Sequence, residues 1–161
     1  MLTQEREKQV IKLCQDFIRI KSYSGEEGGM AVKLKETFDE LGFDDTFIDV
    51  YGNVIGHIKG KQKGKVILLD GHIDTVPADR NKWTKDPFGG EIEDGKIYGR
   101  GASDMKGALS GMVCAAAYFA HDTKRDFNGD IYVAGVVHEE CFEGVAARKI
   151  SERVAPDYVV I

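Results

Sequence analysis

Histidine and carboxylate side chains recur in three short clusters of this sequence, and these residue types bind divalent cations and move protons. The first cluster is Asp70-Gly71-His72-Ile73-Asp74, directly after the apolar run Val66-Ile67-Leu68-Leu69. His72 and Asp74 are two residues apart, so in extended chain they point the same way. One can then serve as a ligand and the other as its orienting partner, although a polar loop whose Asp caps a turn fits as well. The second cluster runs over 99–107, with Asp104 among three glycines just before a helical pattern. Asp104 suits either a ligand or a helix N-cap. A phosphate cradle is disfavoured, because the spacing is not that of a P-loop and a central acid repels phosphate. The third cluster is His138-Glu139-Glu140. Adjacent carboxylates raise each other's proton affinity unless a cation lies beside them. At a strand end they point to different sides, so one could bind metal while the other acts as a base. Solvated acids are the plain alternative.

Together the clusters offer one histidine and four carboxylates: His72, Asp74, Asp104, Glu139 and Glu140. A mixed set of this kind suits Zn²⁺, Mn²⁺ or Co²⁺ better than Ca²⁺. His57 inside a strand pattern, His121 near a helix end and His138 beside the glutamates read as structural.

The elements that must position these residues follow from periodicity. Val10, Cys14, Phe17 and Ile18 share one face of a first helix. Ser24 with Glu27 three residues on has the form of a capping box. A second helix follows, with Ala31, Leu34, Phe38 and Leu41 at helical spacing and Gly42 as its stop. Strands are predicted over 43–50, 53–59 and 65–70, with turns at 52–53 and 60–64. The last strand lacks polar alternation, as a strand buried on both faces does. A loop from 72 to about 88 is long enough to suggest function. Asp94-Gly95 marks a hairpin turn. A helix is predicted over 106–121, a strand over 130–137, a short helix over 144–153 and a strand over 158–161. Strands alternating with helices indicate an α/β fold, here a mixed, largely parallel sheet flanked by helices. Open α/β folds gather ligands at strand ends. A nucleotide-binding α/β domain would need a glycine-rich loop opening a helix after the first strand, and none is present.

Composition narrows the class. The 161 residues are 42% hydrophobic and 30% charged, with a net charge of −5. That is ordinary for one globular domain and lacks the clustered Lys and Arg of a nucleic-acid surface. The stretch 3–19 is too charged for a signal peptide. The apolar run 108–120 is too short to span a bilayer. Cys14, Cys114 and Cys141 are an odd number without ligand-like spacing, which points to a reduced, cytoplasmic setting.

The ordered set Leu69-Asp70-Gly71-His72-Ile73-Asp74-Thr75-Val76-Pro77, Trp83 with Asp86-Pro87-Phe88, the segment 98–107 and Glu139-Glu140 resembles the M20 metallopeptidase/deacylase family. That family includes aminoacylases, acetylornithine deacetylase, succinyl-diaminopimelate desuccinylase and glutamate carboxypeptidases. The resemblance covers nearly the whole chain. It implies a zinc-peptidase-like three-layer sandwich and hydrolysis of an amide bond in a small peptide or N-acyl amino acid. It implies two divalent ions, zinc first and cobalt or manganese next. His72 and Glu140 resemble ligands of separate ions, Asp104 the bridging carboxylate, Asp74 the partner of the histidine and Glu139 the general base. It further implies a cis peptide between Asp104 and Met105.

The family's next acidic ligand, its last histidine ligand and its lid or dimerisation domain have no counterpart in 1–161. The expectation is therefore an N-terminal portion of an incomplete catalytic domain, from a protein that can form a homodimer. The alternative expectation is a catalytically silent fragment or interaction module that keeps the fold.

Overall fold

The computed structural model describes residues 2–142 and 144–161. The chain opens with helix α1 (Gln4–Arg19), which begins where the Thr3 hydroxyl accepts the Arg6 backbone N–H. Such a cap satisfies an amide that the helix leaves unpaired. Helix α2 (Gly28–Glu40) follows, then strands β1 (Asp45–Ile48), β2 (Val54–Lys59) and β3 (Gln62–His72). The hairpin β4 (Glu91–Glu93) and β5 (Lys96–Tyr98) turns through Asp94 and Gly95 at φ 50° and 71°. Paired positive φ values are what a tight hairpin turn requires. Helix α3 (Gly107–Asp122), strand β6 (Asn128–Val136), helices α4 (Glu139–Phe142) and α5 (Val145–Val154), and strand β7 (Tyr158–Val160) complete the order.

Five strands form one mixed sheet in the order β1-β2-β6-β3-β7. The β1/β2 and β2/β6 pairings are antiparallel, and β3 runs parallel to both β6 and β7. Helices cover both faces. On one face Phe17, Met30, Leu34, Phe38, Leu109 and Val113 pack on Val54, Ile58 and Val133. On the other, Ile150 of α5 meets Ile55, Leu68, Ala134 and Val136. Burying each large apolar side chain stabilises the fold by roughly 1.5–3 kcal/mol. Close approach on the first face needs glycine at 135, where a Cβ would lie 2.3 Å from Leu34. Among the described residues, no helix is long and apolar enough to cross a membrane.

Several local expectations are corrected. β1 is shorter than 43–50, because Phe43 leaves the strand path and packs its ring 4.6 Å from that of Phe38. β3 extends beyond 65–70 at both ends. Its glycine-rich start is an irregular strand, with a register shift between Gln62 and Val66 where Gly64 lies against Gly129. At its other end the ladder continues until His72 pairs with Val136. The capping box does not form: Glu27 stands at the α2 N-cap position without a side-chain capping bond, and the Ser24 hydroxyl donates to Asp74. Glu139 and Glu140 open a helical turn rather than ending a strand, so the turn of a helix, not strand alternation, separates their side chains.

Candidate metal centre

His72 is the last residue of β3, carried to the carboxyl end of the parallel strands. Its side chain is 5% exposed. Nδ1 lies 2.9 Å from the backbone oxygen of Asp74, and Nε2 lies 2.9 Å from Asp104 Oδ1. A carbonyl oxygen only accepts, so Nδ1 carries a proton and Nε2 faces the carboxylates. Burial alone would lower the proton affinity of His72. Hydrogen bonds to Asp74 and Asp104 outweigh it and raise the pKa to about 9.

Asp104 stands in a kinked turn, Ala102–Lys106, that starts from Gly101 at φ 79°. A Cβ there would fall 2.7 Å from Thr75, so both the sign of φ and the space require glycine. The Asp104–Met105 peptide is cis, as the resemblance implies. Two residues on, the fully buried Lys106 donates from Nζ to the backbone oxygens of Phe17 and Ile20, at 2.9 and 2.7 Å. Both acceptors lie at the end of α1, where the regular helical pairing runs out, and the Phe17 oxygen also accepts from the Ile20 backbone N–H at 3.2 Å. Burial brings the Lys106 ammonium down to about 8. Met105 packs back on β3, its sulfur 3.1 Å from the His72 backbone nitrogen.

Glu139 and Glu140 arrive from the first turn of α4. Glu139 Oε2 lies 3.8 Å from His72 Nε2. One ligand atom each from His72, Asp104 and Glu140 fall within 4.8 Å of one another. Asp74 sits behind this group, wholly buried. Burial would raise its pKa, but hydrogen bonds with His72, Ser24 and the backbone amides of Glu139 and Glu140 hold it below the usual carboxylate range. All five sequence-predicted residues therefore gather at one end of the sheet. His57, His121 and His138 do not join the His72–Asp104–Glu140 group.

Sequence reasoning assigned no role to Asp70. The residue is 9% exposed and lines a cleft with His72, Met105, Val136, Glu139 and Ala147. Burial raises its carboxyl pKa to about 6. Its place two residues before His72, on the same side of an extended strand, was the available signal. Ser24 and Glu27 read in sequence only as a capping box, and Asn53 only as part of a turn, because their actual partners are distant along the chain.

A three-layer α/β fold with a histidine–carboxylate group at its strand ends defines the class. The chain belongs to peptidase family M20/M25/M40, whose description matches residues 68–161. It is 36% identical over 140 residues to a succinyl-diaminopimelate desuccinylase of Cereibacter sphaeroides. That match covers 85% of this chain and 37% of the relative, so the chain spans little more than a third of its length. Among solved structures, an M20 family metallo-carboxypeptidase from Sulfolobus solfataricus aligns with TM-score 0.75 and 26% identity, over 98% of this chain and 37% of that one. Human carnosine dipeptidase 1 shares the fold with TM-score 0.78 and 23% identity, over 98% of this chain and 38% of that one.

Proposed function

We propose that this chain supplies the principal metal-binding and proton-transfer groups of a two-metal hydrolase that cleaves an amide bond in a small peptide or N-acyl amino acid. The single observation that carries the reading is the convergence of His72, Asp104 and Glu140 from three separate elements, with ligand atoms within 4.8 Å of one another. The donor set is one imidazole nitrogen and carboxylate oxygens, which fits Zn²⁺, with Co²⁺ or Mn²⁺ as substitutes. His72 Nε2 and Glu140 would hold separate ions, and Asp104 would bridge them. Divalent ions bound there supply Lewis acidity, which lowers the pKa of water and polarises a carbonyl.

The remaining steps belong to the chain's own groups. Asp74 keeps the His72 ring oriented, since its backbone oxygen accepts from Nδ1. Glu139 is the general base. Its carboxylate is half-exposed beside His72, where it can meet both solvent and substrate. It takes a proton from water as the water oxygen bonds to the carbonyl carbon. It returns that proton to the amine nitrogen as the carbon–nitrogen bond breaks. Relatives named as a desuccinylase and a metallo-carboxypeptidase support this substrate class.

The test is metal analysis and amide hydrolysis by the intact protein against a panel of dipeptides and N-acyl amino acids. Chelator treatment is expected to abolish turnover, and Zn²⁺, Co²⁺ or Mn²⁺ to restore it. Turnover that persists after complete metal removal would overturn the reading.

A further inference from the structure

Between the end of β6 and the first turn of α4 the backbone makes a sharp corner, with His138 at φ 56°. That region is unfavourable for a non-glycine residue and persists only where the surroundings hold it. Here side chains do the holding. Four consecutive backbone amides donate to side-chain oxygens: Val137 to Asn53 Oδ1, His138 to Glu27 Oε1, Glu139 to Asp74 Oδ1 and Glu140 to Asp74 Oδ2, at 3.1, 3.2, 3.1 and 3.2 Å. The three acceptors come from the turn before β2, the start of α2 and the loop after β3. Their exposures are 0% for Asn53, 6% for Glu27 and 0% for Asp74.

The acceptors are themselves anchored. Asn53 Nδ2 donates to Asp49 Oδ2 at 2.9 Å and to the backbone oxygen of Ala146 at 3.3 Å. The Ser24 hydroxyl donates to Asp74 Oδ2 at 2.7 Å. Burying a carboxylate is unfavourable unless hydrogen bonds satisfy it. The amides of this corner supply those bonds for Glu27 and Asp74, so acceptors and corner stabilise each other. The corner carries Glu139 and Glu140. Its backbone therefore decides where their carboxylates lie relative to His72 and Asp104.

We infer that Ser24, Glu27 and Asn53 are positioning residues that fix the Glu139–Glu140 corner, Ser24 through Asp74 and the other two through backbone amides. This rests on the roles proposed above for the two glutamates. None of the three residues belongs to the ligand group.

The test uses the intact protein, with cobalt affinity from chelator competition, kcat and KM for a hydrolysed amide, and a thermal melt. Glu27→Ala is expected to weaken cobalt binding ~10- to 100-fold, the usual range for a lost partner behind a metal ligand. It should lower kcat more than it changes KM. Glu27→Gln should retain most of both, because its amide oxygen accepts the same hydrogen bond. In a Glu140→Ala background Glu27→Ala should add little further loss of affinity, since it acts through that residue. If Glu27→Ala does not fold, Ser24→Ala removes one hydrogen bond and should show the same pattern with a smaller, few-fold change. Wild-type affinity and kcat in Glu27→Ala and Asn53→Ala, alongside weak binding in Glu140→Ala, would overturn the inference alone. So would an equal Glu27→Ala loss with and without Glu140. Unchanged binding in Glu140→Ala would instead remove the site reading, and this inference with it.

Discussion

His57 and His72 invite comparison because their immediate surroundings are alike. Both are buried, at 8% and 5% exposure, and both lie on strands of the same sheet. His57 has Asp45 and Asp130 at 3.3 Å, and His72 has Asp104 at 2.9 Å and Asp74 at 3.5 Å. The difference is position. His57 is in mid-strand, stacked on Tyr132 with ring centroids 4.1 Å apart, and its acids come from neighbouring strands. His72 is at a strand end, where a kinked turn and a helix start bring Asp104, Glu139 and Glu140. A histidine between two acids in mid-strand is a packed residue of the sheet. A metal centre needs further donors from independent elements, and the sheet provides room for these only at its end.

The comparison predicts a steep order of effects. The largest is His72→Ala, which should remove one metal position and reduce turnover to background, read by elemental analysis and amide hydrolysis. Normal metal content in that variant would erase the distinction between the two histidines. Next is Glu139→Gln, which keeps shape but not basicity. Its kcat should fall by roughly a hundredfold or more with metal content preserved, and near-normal kcat would mean that another group is the base.

A pH effect follows in size. In metal-free protein the His72 pKa is raised from 6.5 to about 9. Its stabilising contribution is then complete below about pH 6.5 and lost as pH rises through about 9. Denaturant melts should show that decline in the metal-free wild type and not in His72→Ala. A smaller effect is expected for His57→Ala, which loses the stacked contact with Tyr132. It should cost about 1–2 kcal/mol, a melting shift of a few degrees, with metal content unchanged. The smallest is Asp45→Asn, at an exposed partner of His57, which should leave metal content and turnover unaltered.

The two histidines also differ in how much of their surroundings the sequence makes legible. That His72, Asp74, Asp104 and the glutamate pair lie together could be anticipated because they flank strands and helices with a clear period, while the roles expected of them came from the family resemblance. The helices carrying Phe17, Leu34 and Val113 were legible from the same periodicity. Ser24 and Glu27 misled, since the serine-to-glutamate spacing of a capping box is indistinguishable locally from two residues that bond 50 and 111 positions away. The start of β3 was hidden because Gly60 and Gly64 resemble a turn, whereas the strand absorbs the irregularity by a register shift. The corner at His138 left no trace, because nothing in Val137-His138-Glu139-Glu140 announces a left-handed residue.

The parallel pairing of β3 with β6 also has a consequence in time. Register places Val66 beside Asp130 and His72 beside Val136, so β3 emerges from the ribosome long before its central neighbour exists. Contacts of such sequence separation form slowly. Throughout that interval the run Val66-Ile67-Leu68-Leu69 is an unpaired apolar segment, the kind that associates between nascent chains. Lys61, Lys63 and Lys65 stand immediately before the run and Asp70 immediately after it. Charges in these flanking places oppose association while the strand waits. The same ordering delays the histidine–carboxylate group, which can assemble only once the chain has been made through Glu140.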